Sequence, residues 1–131
     1  MKKIIITSLL IVLLIPNAPS QAATKSLNTK GNKTSCKNIK EKYKSEAMSK
    51  WSNGLASDQE VLAEIDLNIK MLTERQKPTT GKIKSVVGNW IETEKNTKKV
   101  LIDKNVEGLT AAINVKIKLI TEFQKLCKFS I

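Results

Sequence analysis

Four stretches of the chain repeat apolar residues at steps of three and four, the spacing that places them on one face of an α-helix. The most regular stretch runs from Val106 to Cys127, where Leu119 and Phe123 widen the apolar row into a broad face. A face that wide predicts contact with at least two neighbouring helices. Lys116 is the one charged residue on it, and we expect its aliphatic stem to lie along apolar surface while its ammonium reaches water.

The first predicted helix runs from Ser35 to Trp51. Ser35 belongs to the residue types preferred at a helix N-cap. Asn53-Gly54 supplies the following turn, because glycine adopts a left-handed conformation without steric cost. The apolar stripe of this helix has a row of lysines beside it. The stripe consists of Cys36, Ile39, Tyr43, Ala47 and Trp51, and the lysines beside it are Lys37, Lys40 and Lys44.

The second predicted helix is bounded by sequence signals at both ends. Ser57 and Glu60 have the spacing of a capping box, in which each side chain bonds the backbone N–H of the other residue. Pro78 disfavours helical geometry in the residue before it, so the helix should end near Lys77. Its apolar face consists of Val61, Leu62, Ile65, Ile69 and Leu72.

The third predicted helix begins near Gly81, but its end is ambiguous. Residues 94–99 include no large apolar side chain, and the apolar pattern resumes at Val100. We place a break after Glu94, with Asp103 or Asn105 capping a separate fourth helix. One continuous helix over residues 81–128 is the alternative.

The first 22 residues are organised as a secretory signal peptide. Lys2 and Lys3 precede an apolar run over residues 4–15, and small residues follow a proline. The run is shorter than the roughly 20 residues that span a bilayer. We expect cleavage after Ala22 and export to the periplasm or the medium, with no transmembrane segment in the mature chain. Residues 23–35 are then predicted to form a flexible basic leader, and residues 36–131 the folded domain.

Two cysteines help to choose between the helix arrangements. In an oxidising compartment Cys36 and Cys127 should form one disulfide, although two unpaired thiols are the alternative. A disulfide requires Cα atoms within about 7 Å, and an even number of antiparallel helices returns the chain to its starting end. The sequence therefore predicts an all-α fold, a small antiparallel up-and-down four-helix bundle with one disulfide.

Charge is distributed unevenly along the chain. Of the 23 basic residues, 21 remain after Lys2 and Lys3 are removed, against 12 acidic residues, which leaves a net charge of +9. Residues 25–50 include eight lysines and two glutamates, whereas residues 51–80 are net acidic. A solvated acidic helix beside basic ones would explain this pattern, as would compositional bias. The more specific interpretation is an anionic-surface contact through Lys25, Lys30, Lys33, Lys37, Lys40 and Lys44.

The available side chains argue against catalysis. Histidine is absent, which removes the usual general base, catalytic triads and zinc sites. We interpret the carboxylate pair Glu60 and Glu64 as a solvated face, and we expect Glu94 to pair with Lys98 on the surface. No catalytic residue, cofactor or metal site is predicted, so the chain is not expected to be an enzyme.

These observations favour a small exported helical protein with a binding or structural role. Its expected target is an anionic envelope component or a partner protein, with peripheral contact at a membrane surface included. The alternative is a small secreted antagonist, a toxin or an enzyme inhibitor acting through a protein partner. Specific nucleic-acid recognition is not expected, because Arg75 is the one arginine in the chain and aromatic residues are sparse.

Overall fold

The computed structural model describes residues 30–130, with side chains over 31–128. The predicted signal peptide, its cleavage site and Lys25 lie outside the described residues. Within them the fold is all-α, as predicted. Its helices are α1 (Lys30–Lys42), α2 (Glu46–Ser52), α3 (Asp58–Gln76), α4 (Gly81–Ile102) and α5 (Val106–Ser130).

The helices form a four-membered bundle in which α1 and α2 together make the first arm. Helix α4 packs against both α3 and α5, α1 contacts α3 and α5, and α2 packs on α3. Each long helix therefore contacts the next one along the chain, and α1 closes the ring against α5. The predicted disulfide is confirmed, since Cys36 of α1 bonds Cys127 of α5 across 91 residues with a Cα–Cα distance of 5.6 Å.

The first arm begins earlier than the sequence indicated. Residues 30–35, which we assigned to a flexible leader, form the first turns of α1, and Ser35 is not its N-cap. Instead the Ser35 hydroxyl donates to the Arg75 carbonyl oxygen at 2.6 Å, and the buried Asn32 Oδ1 accepts from the Thr80 N–H at 3.0 Å. Polar contacts with α3 and the α3–α4 loop thus order a segment that has little apolar surface of its own.

Both ends predicted for the second helix are confirmed in α3. The Ser57 hydroxyl accepts from the Glu60 N–H at 3.2 Å, and the Glu60 carboxylate accepts from the Ser57 N–H at 2.9 Å. The helix ends at Gln76, just before Pro78. In the preceding turn Gly54 has a φ of +78°, which explains the glycine there.

The predicted break before the last helix is also confirmed. Helix α4 ends at Ile102, Lys104 takes a positive φ of 59°, and α5 begins at Val106. Asn105 Oδ1 accepts from the Gly108 N–H at 2.9 Å, which is the bond of an N-cap. The alternative of one continuous helix is therefore wrong.

Two apolar clusters fill the bundle, one toward each end. Both tryptophans are buried in them, with Trp90 in the first cluster and Trp51 in the second. The first cluster consists of Cys36, Ile39, Leu72, Ile83, Val86, Val87, Trp90, Ile91, Ile120, Phe123 and Cys127. The second consists of Met48, Trp51, Val61, Ile65, Val100, Leu101, Leu109, Ala112 and Ile113. In sequence, buried polar residues separate the two sets on α3, α4 and α5.

Candidate functional site

An ion pair lies inside the bundle between the two apolar clusters. The Glu94 side chain of α4 is fully buried, and the Lys116 side chain of α5 is 4% exposed. Lys116 Nζ lies 3.2 Å from Glu94 Oε1. The predictions that the Lys116 ammonium reaches water and that Glu94 pairs with Lys98 are therefore wrong. Lys98 instead pairs with Asp66 of α3 at 2.7 Å.

The second oxygen of Glu94 accepts two hydrogen bonds. The Tyr43 hydroxyl donates to Oε2 at 2.7 Å, and Trp90 Nε1 donates to the same oxygen at 3.0 Å. Burial and the Glu94 carboxylate raise the pKa of Tyr43 well above its ordinary value. The two rings also contact each other, with centroids 4.9 Å apart. Because this carboxylate is closed to solvent, it holds helices together and is not exposed to a substrate.

Two further buried polar residues, both on α3, form hydrogen bonds with the backbone at the break between α1 and α2. Asn68 Oδ1 accepts from the Lys44 N–H at 3.0 Å, and its amide donates to the Lys44 carbonyl oxygen at 2.7 Å. The Glu64 carboxylate accepts from the N–H groups of Ala47 and Met48 at 2.8 and 3.2 Å. These bonds replace the helical bonds lost at the break, since the N-cap Ser45 makes no side-chain cap.

The interpretation of Glu64 as part of a solvated acidic face is also wrong, because Glu64 is buried. Glu60 is exposed and caps its own helix, as predicted. The sequence did carry a signal for the buried ion pair. Glu94 continues the helical spacing of Trp90, and Lys116 stands on the apolar face of the last helix, so two opposite charges occupy core-facing positions of two helices.

The predicted anionic-contact residues are only partly brought together. Lys33, Lys37 and Lys40 are exposed along one flank of α1, and we call these three the lysine row. They border a shallow open depression together with Glu41. Lys44 is exposed too, but it follows the end of α1, in the break that Asn68 bridges.

The two remaining candidates are less well defined. Lys30 is the first residue of α1, three positions before Lys33, and its side chain is outside the described set. Lys25 lies outside the described residues altogether.

Within residues 31–128, none of the three lysines of the row has an acidic partner at ion-pair distance. Some other surface lysines do have one, such as Lys104 with Asp58 at 2.7 Å and Lys95 with Glu92 at 3.4 Å. Even Glu41, which lies one turn after Lys37, forms no ion pair with it. The positive charge of the lysine row is therefore not neutralised by described neighbours.

The lysine row is held on a fixed helix. The opposite side of α1 buries Cys36, which is bonded to α5, and Ile39, which belongs to the first apolar cluster. The contacts of Asn32 and Ser35 with the α3–α4 region anchor its first turns. The backbone of α1 is thus anchored beneath the lysine row, and the three lysine side chains are on its exposed side.

The described residues contain no group of three or more His, Cys, Asp or Glu side chains that could hold a metal ion. Over the same residues no helix combines the length and the apolar character needed to cross a membrane. No family model, curated protein or solved structure shows significant similarity to the chain.

Proposed function

We propose that the protein is exported and that it binds an anionic component of the cell envelope through the lysine row. Lys44, which follows the end of α1, and Lys30, its first residue, are included in the proposed contact, and Lys25 is included on its sequence alone. The signal-peptide pattern supports export, and the disulfide fits an oxidising compartment. We propose a binding role and not a catalytic one, because the buried carboxylates Glu64 and Glu94 accept hydrogen bonds that hold the helices together.

The observation that carries this proposal is the set of three exposed, unpaired lysines on one flank of a disulfide-anchored helix. A lysine close to an anionic surface contributes on the order of 1 kcal/mol, and salt screens the effect. The row should therefore supply about 3 kcal/mol, or roughly 100-fold in affinity. A partner held by apolar contacts would show no comparable dependence on salt.

The test measures retention of the mature, oxidised protein on an isolated envelope fraction across a salt series. The row variant carries Lys33→Gln, Lys37→Gln and Lys40→Gln. A matched control replaces exposed lysines on three other helices and has the same net charge; its substitutions are Lys70→Gln, Lys99→Gln and Lys118→Gln. Circular dichroism verifies that both variants are folded.

We expect the row variant to lose most of its retention at low salt and the control to keep most of it. Equal losses in the two variants would show that net charge alone determines retention. Retention that does not change with salt concentration would contradict the proposal. Recovery of one stoichiometric protein partner at high salt would favour the secreted antagonist instead.

A further inference from the structure

We infer that the ligand of the lysine row is a linear envelope polyanion of the polyphosphate or phosphodiester kind, lying along α1. This inference rests on the proposed function and narrows it to one class of partner. It is carried by the geometry of the row, by the side chains beside it and by the type of its basic residues.

The geometry of the row is linear. Its members are four and three residues apart, and a helix rises about 1.5 Å per residue. The row therefore extends over about 10 Å, with axial intervals of about 6 Å and about 4.5 Å between its charges. A chain with repeated anionic groups can contact each ammonium in turn. A single small anion can contact only one or two of them.

The side chains beside the row do not suit insertion into a lipid surface. Helices that bind membranes at the interface combine basic residues with apolar side chains that enter the acyl region. The large apolar residue of α1 in the described part, Ile39, is fully buried. Over residues 31–128 the exposed large apolar side chains are on other elements, namely Leu55, Leu67, Ile102 and Val115.

The type of basic residue favours recognition of a charged backbone. A lysine ammonium is a compact point charge, whereas arginine forms the bidentate contacts that read bases and planar anions. The exposed positions of α1 carry no aromatic side chain on which a nucleobase could stack. These features fit a polymer that is recognised through its regularly spaced charges.

The experiment is a calorimetric titration of the folded, oxidised protein with orthophosphate and then with inorganic polyphosphates of increasing length. Vesicles of neutral lipid, and of neutral lipid mixed with an anionic phospholipid, form the second arm. The row variant and its matched control are measured in parallel at several salt concentrations.

Orthophosphate should bind too weakly to measure. Affinity should rise steeply with polyphosphate length until the chain spans about 10 Å along the helix, and only slowly beyond that. With three phosphate contacts the logarithm of the binding constant should fall against the logarithm of the salt concentration with a slope of about −2. The row variant should lose these three contacts and thus about 2 from the magnitude of the slope, and the control should keep the slope of the parent.

Four results would overturn the inference. Anionic vesicles that bind as tightly as long polyphosphate would identify a lipid surface as the partner. Affinity that does not depend on chain length, or a control variant as weak as the row variant, would show that only net charge is recognised. If polyphosphate fails to bind while envelope retention still depends on the row, the inference is wrong and the proposed function survives. If both fail, the proposed function is wrong as well.

Discussion

Replacing Lys116 by methionine tests the internal ion pair with little change in side-chain length. The substitution removes the cation 3.2 Å from Glu94 Oε1 and leaves a carboxylate with no solvent exposure in the middle of the bundle. The hydrogen bonds from Tyr43 and Trp90 to the other oxygen stay in place. The perturbation is thus confined to one uncompensated charge.

The expected loss is large on the scale of a small domain. Removing one partner of a buried ion pair costs about 3–5 kcal/mol, out of a total that is typically about 5–15 kcal/mol. For a domain of this size the melting temperature should fall on the order of 20 °C. The free energy of unfolding is measured by urea denaturation followed by circular dichroism.

A second variant separates the lost charge from a general packing defect. In the double variant Lys116→Met with Glu94→Gln, the amide oxygen still accepts from Tyr43 and Trp90, and no buried charge remains. It should recover at least half of the lost stability, about 2 kcal/mol, because no unpaired charge is then buried. Lys118→Met, at an exposed position two residues away, should change stability by less than about 0.5 kcal/mol.

Two results would refute this reasoning. A single Lys116→Met variant within about 1 kcal/mol of the parent would mean that Glu94 is not an uncompensated buried charge in solution. A double variant less stable than the single one would mean that the loss comes from packing around Lys116.

Three other predictions concern the disulfide, two helical glycines and the Tyr43 hydroxyl. Cys36→Ser with Cys127→Ser should lower stability by roughly 4–5 kcal/mol, because the bond closes a loop of 91 residues; an unchanged urea midpoint would contradict the anchoring of α1. Gly31→Ala should destabilise by about 1–3 kcal/mol, since its Cβ would overlap the Pro78 carbonyl oxygen, whereas Gly88→Ala, which meets only the flexible Gln76 amide, should be neutral or stabilising. Tyr43 is the single tyrosine, and its raised pKa predicts no tyrosinate absorbance near pH 10 in the folded protein. The unfolded chain does ionise there, so the Tyr43 contribution to stability is complete below that pH and is lost above it. Ordinary ionisation in the native state would show that the hydroxyl is not buried.

Features of the fold set by neighbouring residues could be predicted from the sequence. The capping box of Ser57 and Glu60 and the stop before Pro78 depend on contacts within a few positions. The parity argument for Cys36 and Cys127 needed only the number of helices. These predictions are confirmed because the physics that decides them is local or topological.

The errors concern polar groups whose partners are distant in the chain. Asn68 bonds Lys44 across 24 residues, and Tyr43 donates to Glu94 across 51. Helical spacing shows that a charged residue stands on a core-facing position, but it does not show which opposite charge will face it. For that reason the buried roles of Glu64 and Glu94, and the break after α1, were missed.

The candidate site also has a part that depends on neighbouring residues and a part that depends on distant ones. The exposure of Lys37 and Lys40 follows from the register of α1 once Cys36 faces the core, so this part of the lysine row could be predicted. The helical position of Lys33 could not, because the contacts that order the first turns of α1 come from α3 and the α3–α4 loop. The separation of Lys44 from the row could not, because the break that displaces it depends on Asn68 of another helix.

The measurement that tests the central claim most directly is an amide NMR titration of the mature, oxidised protein with solubilised envelope polymer. It reports where on the surface binding occurs, independently of affinity. We expect the perturbed amides to cluster along α1 from Lys33 to Lys40 and to return to their free positions when salt is added. Perturbations centred on another surface, such as the exposed apolar residues Leu55 and Ile102, would contradict the lysine row as the binding site.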